Sequence, residues 1–578
     1  MREFCDAEPG TTVPKPAREA TAPTDQATRS RFAAARDWAG RKRPQCPASL
    51  MCILAAAFVV LFNNSRLFSL LAGRSDLASM AGIACCAAVF IGVTGMVAVV
   101  LFFLGQPYVL KPVLIALLTL SAILGYFTNE WGIVFDLKMI RNIAETIADR
   151  NRLEAAELVS ATLALRLFLL ALLPSLAVLA TKVTWKRPRR ELLERALYAG
   201  GMAVALALLV LPNYRYMLFF GRENVRLKYY ATPTYAVDSL RKYVLASLAR
   251  NKPFETLGQD AVRAGNSRRR TVGIMVVGET ARADHFSLNG YARKTNPLLE
   301  RRPLLNYAQT TASGTSTSYS VPCMFSFLTK KRFTTEKAAG QSNVLDVLEH
   351  AGIKVVWIDN NSSDKGVCKR LGCVNLRHDP DPASPWYVDG GYYDEVLLEN
   401  LGAHLEGTES DVLIVLHTMG SHGPAYHRRY PPAFGKFEPF CRCDAPQQAS
   451  VEEVVNAYDN TILYTDYVLD RLIGYLESLD DDNRTFLYYV SDHGESLGEN
   501  GVYLHGLPDV LAPEAQTHVP MLMWLSDGYA ADRALDLALL KSCCDLPTSH
   551  DNVPHTLLGL FEVRTSVYRE ELDLLRAK

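Results

Sequence analysis

The sequence has no excess of charge of either sign. Lys and Arg together number 61, and Asp and Glu together also number 61. Nucleic-acid-binding proteins usually carry a basic surplus, so we expect no nucleic acid among the partners. Charged residues make up only 21% of the chain and hydrophobic residues 49%, which excludes an intrinsically disordered protein. The 578 residues are enough for about three or four ordinary domains, or fewer if part of the chain lies in a membrane.

Charged residues are nearly absent from five long segments, all of which lie before residue 222. A helix needs about 20 mostly apolar residues to cross a bilayer, and helices in soluble cores normally keep a polar face. The first segment is the least regular, because Asn63, Asn64 and Arg66 interrupt it. We therefore predict five transmembrane helices within residues 49–220, at 49–72, 78–104, 108–127, 158–181 and 195–220.

Two basic clusters predict the orientation of these helices. One lies between Arg29 and Arg43, before the first helix, and the other between Lys182 and Arg190, in the loop after the fourth. Short basic loops stay in the cytoplasm, so the C-terminal half should face the periplasm or the exterior. Residues 1–48 are predicted to form a disordered cytoplasmic tail. We expect no cleaved signal peptide, since no short apolar core precedes the first helix.

The loop after the third predicted helix is long and has apolar residues near helical spacing, including Leu137, Ile140 and Ile143. Such a stripe favours a bridging helix near 134–157 that lies on the membrane surface, with a plain linker as the alternative. Residues 221–269 should then form a linker and a connecting helix. The remaining residues, 270–578, should form the periplasmic catalytic domain.

Short β-branched runs alternate with amphipathic stretches after residue 270. Apolar runs flanked by helices are typical of a mostly parallel α/β sheet that is covered on both faces. In such sheets, ligands bind beyond the carboxyl ends of the strands. The predicted strands are 272–277, 354–358, 412–416, 486–490 and 521–525.

Acidic and imidazole side chains follow three of these predicted strands. In chain order they are Glu279, His422, and Asp492 with His493, and His505 lies twelve residues beyond His493. Carboxylates and an imidazole without a thiolate suit a hydrolytic type of zinc or manganese site better than a structural one. For His505 the residues themselves leave a structural role open.

A hydroxyl-rich segment, GTSTSYSVPCMFS at 314–326, leads into a predicted helix. A helix N-terminus favours a phosphate or a developing oxyanion, and Thr317 is the best candidate for a nucleophile there. A divalent cation would lower the pKa of its hydroxyl enough for attack. The alternative is that these hydroxyls only cap the helix.

The same residues lie within longer motifs that resemble one enzyme family. The motifs are GETARADHFSLNGY (278–291), GTSTSYSVPCMFS, GSHGP (420–424), NAYDNTILYTD (456–466) and SDHGESLGENGVYLHG (491–506). They are similar to the phosphoethanolamine transferases that modify lipid A, which include the plasmid-borne colistin-resistance enzymes. The resemblance covers most of residues 50–565. It implies five transmembrane helices followed by a periplasmic domain of the alkaline phosphatase type.

The resemblance also implies roles for individual residues. Glu279, Thr317, Asp492 and His493 would hold one tightly bound Zn²⁺, with Thr317 also the nucleophile. His422 and His505 would line the phosphate site, act in catalysis and, as in some family members, help to hold a second zinc ion.

Contacts to the lipid headgroup are implied by position within the family's motifs. Asn142 and Thr146 match positions on the bridging helix. The acidic residue expected one turn later falls on Arg150, and a short insertion would move that role to Glu154. Ser362 and Lys365 in NNSSDKGVC keep the family's spacing.

The implied reaction moves phosphoethanolamine from phosphatidylethanolamine to a lipid A phosphate through a phospho-threonine. It would take place on a multi-pass protein of the bacterial inner membrane, which we expect to be a monomer. The added amine would lower the negative surface charge that attracts polycationic peptides.

The cysteines depart from the family's pattern. The family pairs Cys323 with a cysteine ten residues earlier, where this chain has Ser313. Cys368 and Cys373 can pair with each other, whereas the adjacent Cys543 and Cys544 should not. The seven cysteines on the periplasmic side are an odd number, so at least one should stay free or join another chain.

Several functions remain as alternatives. The acceptor can be a core sugar or another envelope glycan, and a phosphoglycerol transferase would use manganese and phosphatidylglycerol instead. A membrane sensor that binds zinc or phosphate is the non-enzymatic alternative. An arylsulfatase is disfavoured, because the segment from Cys323 to Ser326 lacks the Pro and Arg of its C-x-P-x-R motif.

Overall fold

The computed structural model of the chain describes residues 43–148, 159–248, 253–265, 267–378, 380–388 and 391–576. Its N-terminal part is helical, and its C-terminal part is built around one central sheet. The fold class predicted from the sequence is confirmed, a helical membrane region followed by an α/β domain of the alkaline phosphatase type.

The first predicted transmembrane segment, 49–72, is not one straight helix. It consists of α1 (Ala48–Asn63) and α2 (Ser65–Arg74), which are bent by 68°. Asn64 causes the break: its side-chain amide donates to the carbonyl oxygens of Val60 and Thr232, and its side-chain oxygen accepts from the backbone N–H of Thr232. These bonds fasten the bend to a segment far along the chain.

Four further helices of the described residues are long and apolar enough to cross a membrane. They are α3 (Met80–Leu104), α4 (Leu110–Trp131), α6 (Ala161–Ala180) and α7 (Pro188–Val210), with α5 (Leu137–Ala148) between α4 and α6. The bundle therefore has four spans, or five if the bent pair counts as one.

The fifth predicted segment, 195–220, was placed too late in the chain. Helix α7 begins at Pro188 and ends at Val210, and a separate helix, α8 (Tyr214–Glu223), follows it. The charged residues in the first turns of α7 interrupt the apolar run, so the start of the helix could not be seen in the sequence. Two of these charges neutralise each other inside the bundle. Arg195 forms an ion pair with Glu191, which accepts a hydrogen bond from the Ser49 hydroxyl.

Two other segments differ from or extend beyond the predicted boundaries. Gln45–Pro47, which the prediction assigned to the tail, forms a short parallel strand pair with Lys182–Thr184. The predicted bridging helix near 134–157 corresponds to α5, and residues 149–158 lie outside the described part. A connecting helix, α9 (Thr234–Leu248), follows within the predicted linker.

The central sheet has seven strands in the order β2-β7-β6-β1-β5-β3-β4. In chain order they are β1 (Thr271–Gly278), β2 (Leu304–Asn306), β3 (Lys354–Asp359), β4 (Gly372–Asn375), β5 (Val412–His417), β6 (Arg484–Ser491) and β7 (Met521–Leu525). All five predicted strands are present. The two edge strands β2 and β4 were missed, because runs of three and four residues carry little pattern.

The sheet is parallel from β6 through β1, β5 and β3 to β4. Strand β7 is antiparallel to β6 and to β2, since an irregular loop rather than a crossover helix joins β6 to β7. The carboxyl ends of β1, β5 and β6 therefore lie side by side. The candidate site lies at this edge, as the rule for open sheets predicts.

Helices cover both faces of the sheet. Residues of α10 (Thr317–Met324), α12 (Val344–His350) and α17 (Val553–Leu560) share one apolar core, and the long helix α13 (Val451–Glu477) shares the other. The shorter helices are α11 (Thr335–Ala339), α14 (Asp527–Asp532) and α15 (Leu537–Ser542), and α16 is the 3₁₀ turn His550–Asn552.

Two disulfides are present among the described residues. One joins Cys368 to Cys373, as the sequence allows, and the other joins Cys441 to Cys443. Cys323, Cys543 and Cys544 are free thiols. The adjacent pair is therefore not bridged, which agrees with the prediction.

Candidate active site

Thr317 lies against the two predicted metal ligands that come from β1 and β6. Its Oγ1 is 3.2 and 3.3 Å from the carboxylate oxygens of Glu279 and 3.3 Å from Nε2 of His493. Glu279 follows the last residue of β1, and His493 comes two residues after the end of β6. The predicted cluster of a hydroxyl, a carboxylate and an imidazole is thus present at the sheet edge.

Thr317 is the first residue of α10, not its cap. Ser316 holds the N-cap position, with extended backbone and no capping hydrogen bond from its side chain. The Thr317 hydroxyl therefore donates to the carboxylate of Glu279 and does not bond to the backbone of its own helix. The alternative that Thr317 only caps the helix is therefore wrong.

The orientations of Asp492 and His493 are set by backbone groups. Oδ1 of Asp492 accepts the backbone N–H of Thr280, at 3.2 Å, and of His493, at 2.7 Å. Nδ1 of His493 lies 3.0 Å from the carbonyl oxygen of Gly494, which can only accept, so this nitrogen carries the proton. Nε2 of His493 is therefore unprotonated, and it lies close to Thr317 Oγ1 and the two carboxylates with the lone pair that a metal ligand requires.

The arrangement fits a divalent cation. Ligand atoms of Glu279, Asp492 and His493 all lie within 4.8 Å of one another, and the three side chains are buried. Oδ2 of Asp492 is buried with no hydrogen-bond partner. An unsatisfied carboxylate oxygen beside a second buried carboxylate is costly without a cation, so these residues together indicate a metal centre.

The electrostatics of the site agree with this conclusion. Burial, followed by the nearby charge of Asp492, raises the pKa of Glu279 well above its ordinary value. Burial also raises the pKa of Asp492 to about 6. Both carboxyl groups are hard to ionise as the protein stands, and a bound cation would favour their charged forms.

His422 and His505, which are half-buried, lie beside His493 on the more open side of this cluster. The ring of His505 lies 4.4 Å from that of His493 and 5.3 Å from that of His422, between ring centroids. Nδ1 of His505 is 3.3 Å from the carboxylate of Glu495. Burial and the neighbouring His505 lower the pKa of His422 well below its ordinary value, so its ring is neutral at pH 7.

The predicted headgroup residues Ser362 and Lys365 lie in the loop after β3. Nζ of Lys365 donates to the Ser362 hydroxyl at 2.6 Å. The preceding residue, Asn361, donates from its side-chain amide to Glu279 at 2.8 Å and to the carbonyl oxygen of Thr418 at 2.9 Å. The loop is thereby attached to a metal ligand.

The other headgroup residues belong to the bridging helix. Asn142 lies on α5 and is partly buried. Thr146 lies on the same helix, but its side chain is outside the described part, as is the whole of Glu154. Their contacts to a headgroup therefore stay predictions.

Helix α5 packs against the α/β domain close to the catalytic residues. Nζ of Lys138 is 2.8 Å from Asp509 and lies 3.8 Å above the ring of Tyr319, two residues after Thr317. Gly506, next to His505, has φ of +86°, and a Cβ there would meet Met139 Cε at 2.6 Å. Only glycine suits this position, where the membrane region touches the catalytic loop.

Sequence reasoning missed two residues that support the site. Asn361 immediately precedes Ser362 in the loop after β3, and nothing in its spacing marked it as a partner of Glu279. His550 accepts from the backbone N–H of Ser313 at 3.1 Å and donates to the carbonyl oxygen of Ser491 at 2.9 Å. Its position near the C-terminus, after a short polar turn, carried no signal.

The fold and the site define a class. Residues 272–563 match the sulfatase family model, and the chain has an alkaline phosphatase-like domain with a metal-type cluster at its sheet edge. The protein is thus a membrane-attached enzyme of the alkaline phosphatase and sulfatase superfamily. Residues 93–248 match a second model, described as phosphoethanolamine transferase EptA/EptB.

Individual relatives identify the family. The phosphoethanolamine transferase EptA of Salmonella typhimurium is 38% identical over 502 residues, covering 82% of this chain and 90% of the relative. The phosphatidylethanolamine transferase Mcr-1 of Escherichia coli is 37% identical over 488 residues, covering 81% and 86%. The integral membrane EptA structure from Neisseria meningitidis has a TM-score of 0.88 and 31% identity, covering 92% and 99%. The chain belongs to the EptA/Mcr family of phosphoethanolamine transferases.

Proposed function

We propose that this protein transfers phosphoethanolamine from phosphatidylethanolamine to a phosphate of lipid A, through a covalent intermediate on Thr317. The observation that carries this proposal is the buried contact of Thr317 Oγ1 with Glu279 and His493 at the N-terminus of α10. The domain order predicted from the sequence is part of the proposal, with the catalytic domain in the periplasm and the helices in the inner membrane.

Glu279, Asp492 and His493, together with Thr317, would hold one zinc ion. When bound, the zinc ion lowers the pKa of the threonine hydroxyl and offsets negative charge on the phosphoryl group. Two carboxylates and one imidazole, with no thiolate, suit a hydrolytic type of zinc or manganese site, and the family resemblance favours zinc. Asn361 keeps Glu279 oriented through its amide.

In the first stage, the oxygen of Thr317 attacks the phosphorus of phosphatidylethanolamine, and the bond from phosphorus to the diacylglycerol oxygen breaks. The threonine proton ends on that leaving oxygen, so the products are diacylglycerol and phosphoethanolamine-threonine. His422 and His505 lie on the open side of the cluster, where their N–H groups can hold phosphoryl oxygens and pass the proton.

In the second stage, an oxygen of a lipid A phosphate attacks the same phosphorus, and Thr317 leaves and recovers its proton. Lipid A is proposed as the acceptor because one relative, at 29% identity over 303 residues, is named Kdo(2)-lipid A phosphoethanolamine 7''-transferase. That name also keeps a sugar hydroxyl of lipopolysaccharide as the second candidate. Donor headgroup contacts would come from Asn142, Thr146, Ser362 and Lys365, with Glu154 as their acidic partner.

The test is mass spectrometry of lipid A from bacteria with and without the gene. The wild-type chain should add one phosphoethanolamine unit and reduce killing by polycationic peptides such as colistin. Thr317→Ala should abolish the product, by a factor on the order of 10³ or more, and Thr317→Ser should retain part of the activity. Unchanged lipid A with modified core sugars would support the second acceptor, and activity in Thr317→Ala would refute the threonine intermediate.

A further inference from the structure

A groove of about 720 Å³ opens in the membrane part of the protein, between α2, α3, α7, α8 and α9. Its walls are almost entirely apolar, with side chains that include Leu71, Val89, Met96, Leu206, Met217 and Phe220. The volume is in the range of sites that hold small lipid-like ligands. Nothing in the two-stage reaction described above uses it.

The groove lies in the half of the bundle nearer to the catalytic domain. On α3 it is lined by residues 85–96, the half of the helix that follows its N-terminus. The opposite end of α3 is where Arg195 binds the carbonyl oxygens of Phe102 and Gly105. With the catalytic domain in the periplasm, the groove faces the outer leaflet of the inner membrane.

The wall of the groove belongs to the same packed cluster as part of the loop that follows His505. Leu67 and Leu71, which line it, share an apolar cluster with Leu507. The carbonyl oxygen of Leu507 accepts the hydroxyl hydrogen of Thr315 at 2.7 Å, two residues before the nucleophile. A lipid with an acyl chain in this groove would therefore bring its headgroup to the active site from the side of α2 and α9.

The polar rim of the groove is cationic. Lys228 lines the opening, and no described carboxylate forms an ion pair with it. Arg74 is fastened to the rim by a hydrogen bond of 3.2 Å to Asn224. Asp238 is the acidic residue that lines the groove, and it forms ion pairs with both Arg241 and Lys242, at 2.8 and 2.7 Å. The exposed carboxylates of Asp76 and Glu223, near Arg74 and Asn224 in the chain, do not line it. The rim as a whole therefore favours an anionic headgroup.

We propose that this groove binds an acyl chain of the anionic acceptor lipid, and that Arg74 and Lys228 attract its phosphate groups. This inference rests on the proposed function and adds a place for the second substrate. The zwitterionic donor carries an ammonium group that a cationic rim repels, and its expected headgroup contacts lie on α5 and on the loop after β3. Donor and acceptor would thus approach Thr317 from different sides.

Gly92 allows a direct test, because it lines the groove and a Cβ built there meets no atom within 4 Å. Gly92→Phe should fill the groove without disturbing the packing of α3. Gly200→Phe is the matched control, since Gly200 on α7 also has open space but does not line the groove. Both variants should be purified as full-length, zinc-loaded enzyme in nanodiscs and should show the melting temperature of the wild type.

The two stages can be measured separately in these nanodiscs. With phosphatidylethanolamine alone, Gly92→Phe should release diacylglycerol and form phosphoethanolamine-threonine as fast as the wild type. On addition of purified lipid A, discharge of that intermediate should slow by about tenfold or more, and Gly200→Phe should behave as the wild type. Unchanged discharge, or slower diacylglycerol release, would overturn the proposal, the latter by assigning the groove to the donor.

The rim supplies a second measurement. Lys228→Gln and Arg74→Gln should each raise the KM for lipid A about fivefold with little change in kcat, and salt should reduce the difference. The control is Arg189→Gln, an exposed cation at the other end of the bundle. Equal KM values in all three variants would refute the role of the rim. If the wild type itself forms no phosphoethanolamine-threonine, the proposed function fails instead, which is a separate outcome.

Discussion

His550 donates from Nε2 to the carbonyl oxygen of Ser491, 2.9 Å away. Ser491 is the last residue of β6 and directly precedes Asp492. The other ring nitrogen of His550 accepts from the backbone N–H of Ser313, four residues before Thr317. One buried, neutral imidazole thus joins the strand that precedes two of the proposed metal ligands to the loop that precedes the proposed nucleophile. Burial lowers the pKa of this imidazole to about 3.

We predict that His550→Leu lowers the free energy of unfolding by about 2–4 kcal/mol, because two buried backbone groups lose their partners. Formation of the phospho-threonine should slow as well, since the loop and the strand are no longer held together. His550→Asn, which keeps an acceptor near Ser313, should recover part of both. His350→Leu, at an exposed position, is the control for losing an imidazole. Thermal unfolding would show the prediction wrong if both leucine variants melted alike.

Asn361 should set the affinity of the metal site. Its amide donates to Glu279 at 2.8 Å, and groups that orient metal ligands typically contribute 10–100-fold to metal affinity. We expect Asn361→Ala to weaken zinc binding by about that factor, as measured by competition with a chelator. Ser363→Ala, two residues further along the same loop, should bind zinc as the wild type does. Equal affinity in the two variants would contradict the prediction.

Removal of zinc should lower the melting temperature as well as the activity. A ligand that binds only the folded state stabilises it, by about 4 kcal/mol at a concentration a thousand times its Kd. Dialysis against a strong chelator should therefore shift the unfolding of the wild type downward, and added zinc should restore it. The melting temperature of Asp492→Asn should change little on zinc removal, because the variant lacks the carboxylate oxygen Oδ2, which has no hydrogen-bond partner and is proposed to bind the zinc ion.

Ser313→Cys should create a disulfide with Cys323. The family pairs Cys323 with a cysteine at the position of Ser313, and both residues are buried here, each 2% exposed. A bridge that closes a loop of this size should stabilise the folded protein by about 2–3 kcal/mol. The melting temperature should rise, and a reductant should reverse the gain. Ser313→Ala is the control. The oxidised cysteine variant should titrate with one thiol fewer than the wild type, and one thiol more would refute the pairing.

His555 should make the folded protein sensitive to acid. Burial lowers its pKa from 6.5 to about 4, and its Nδ1 accepts from the backbone N–H of Arg569 at 3.1 Å. The folded state therefore favours the neutral ring. Its contribution is fully present above pH 6.5 and is lost as the pH falls toward 4, by about 3 kcal/mol in total.

The variant His555→Gln keeps an acceptor for Arg569 but cannot take up a proton. Between pH 7 and pH 4.5, its melting temperature should fall less than that of the wild type. The comparison isolates His555 from the other groups that titrate in this range. Parallel curves for the two proteins would show that the buried imidazole contributes nothing to acid sensitivity.

Much of the site was predictable because the signals are local. Glu279, Asp492 and His493 directly follow buried apolar runs, and the strands of a mostly parallel sheet bring their carboxyl ends to one edge. The hydroxyl-rich start of α10 supplied Thr317 in the same way. An element that is buried on both faces, in a sheet core or in a bilayer, must be apolar along its own length, so runs of strand length and span length show directly in the sequence.

Other features of the fold and the site could not be predicted, because they depend on contacts between residues that are far apart in the sequence. The bend at Asn64 requires a hydrogen bond to Thr232. Asn361 and His550, which sequence reasoning missed, bond to residues far away in the sequence. The antiparallel direction of β7 follows from the loop before it. Each is a choice among many possible buried hydrogen bonds. Composition and spacing predicted a membrane-attached enzyme with a metal-type cluster at its sheet edge. The partners of its buried polar groups were decided only by the packed tertiary structure, because buried polar groups need hydrogen-bond partners and many of these come from distant parts of the chain.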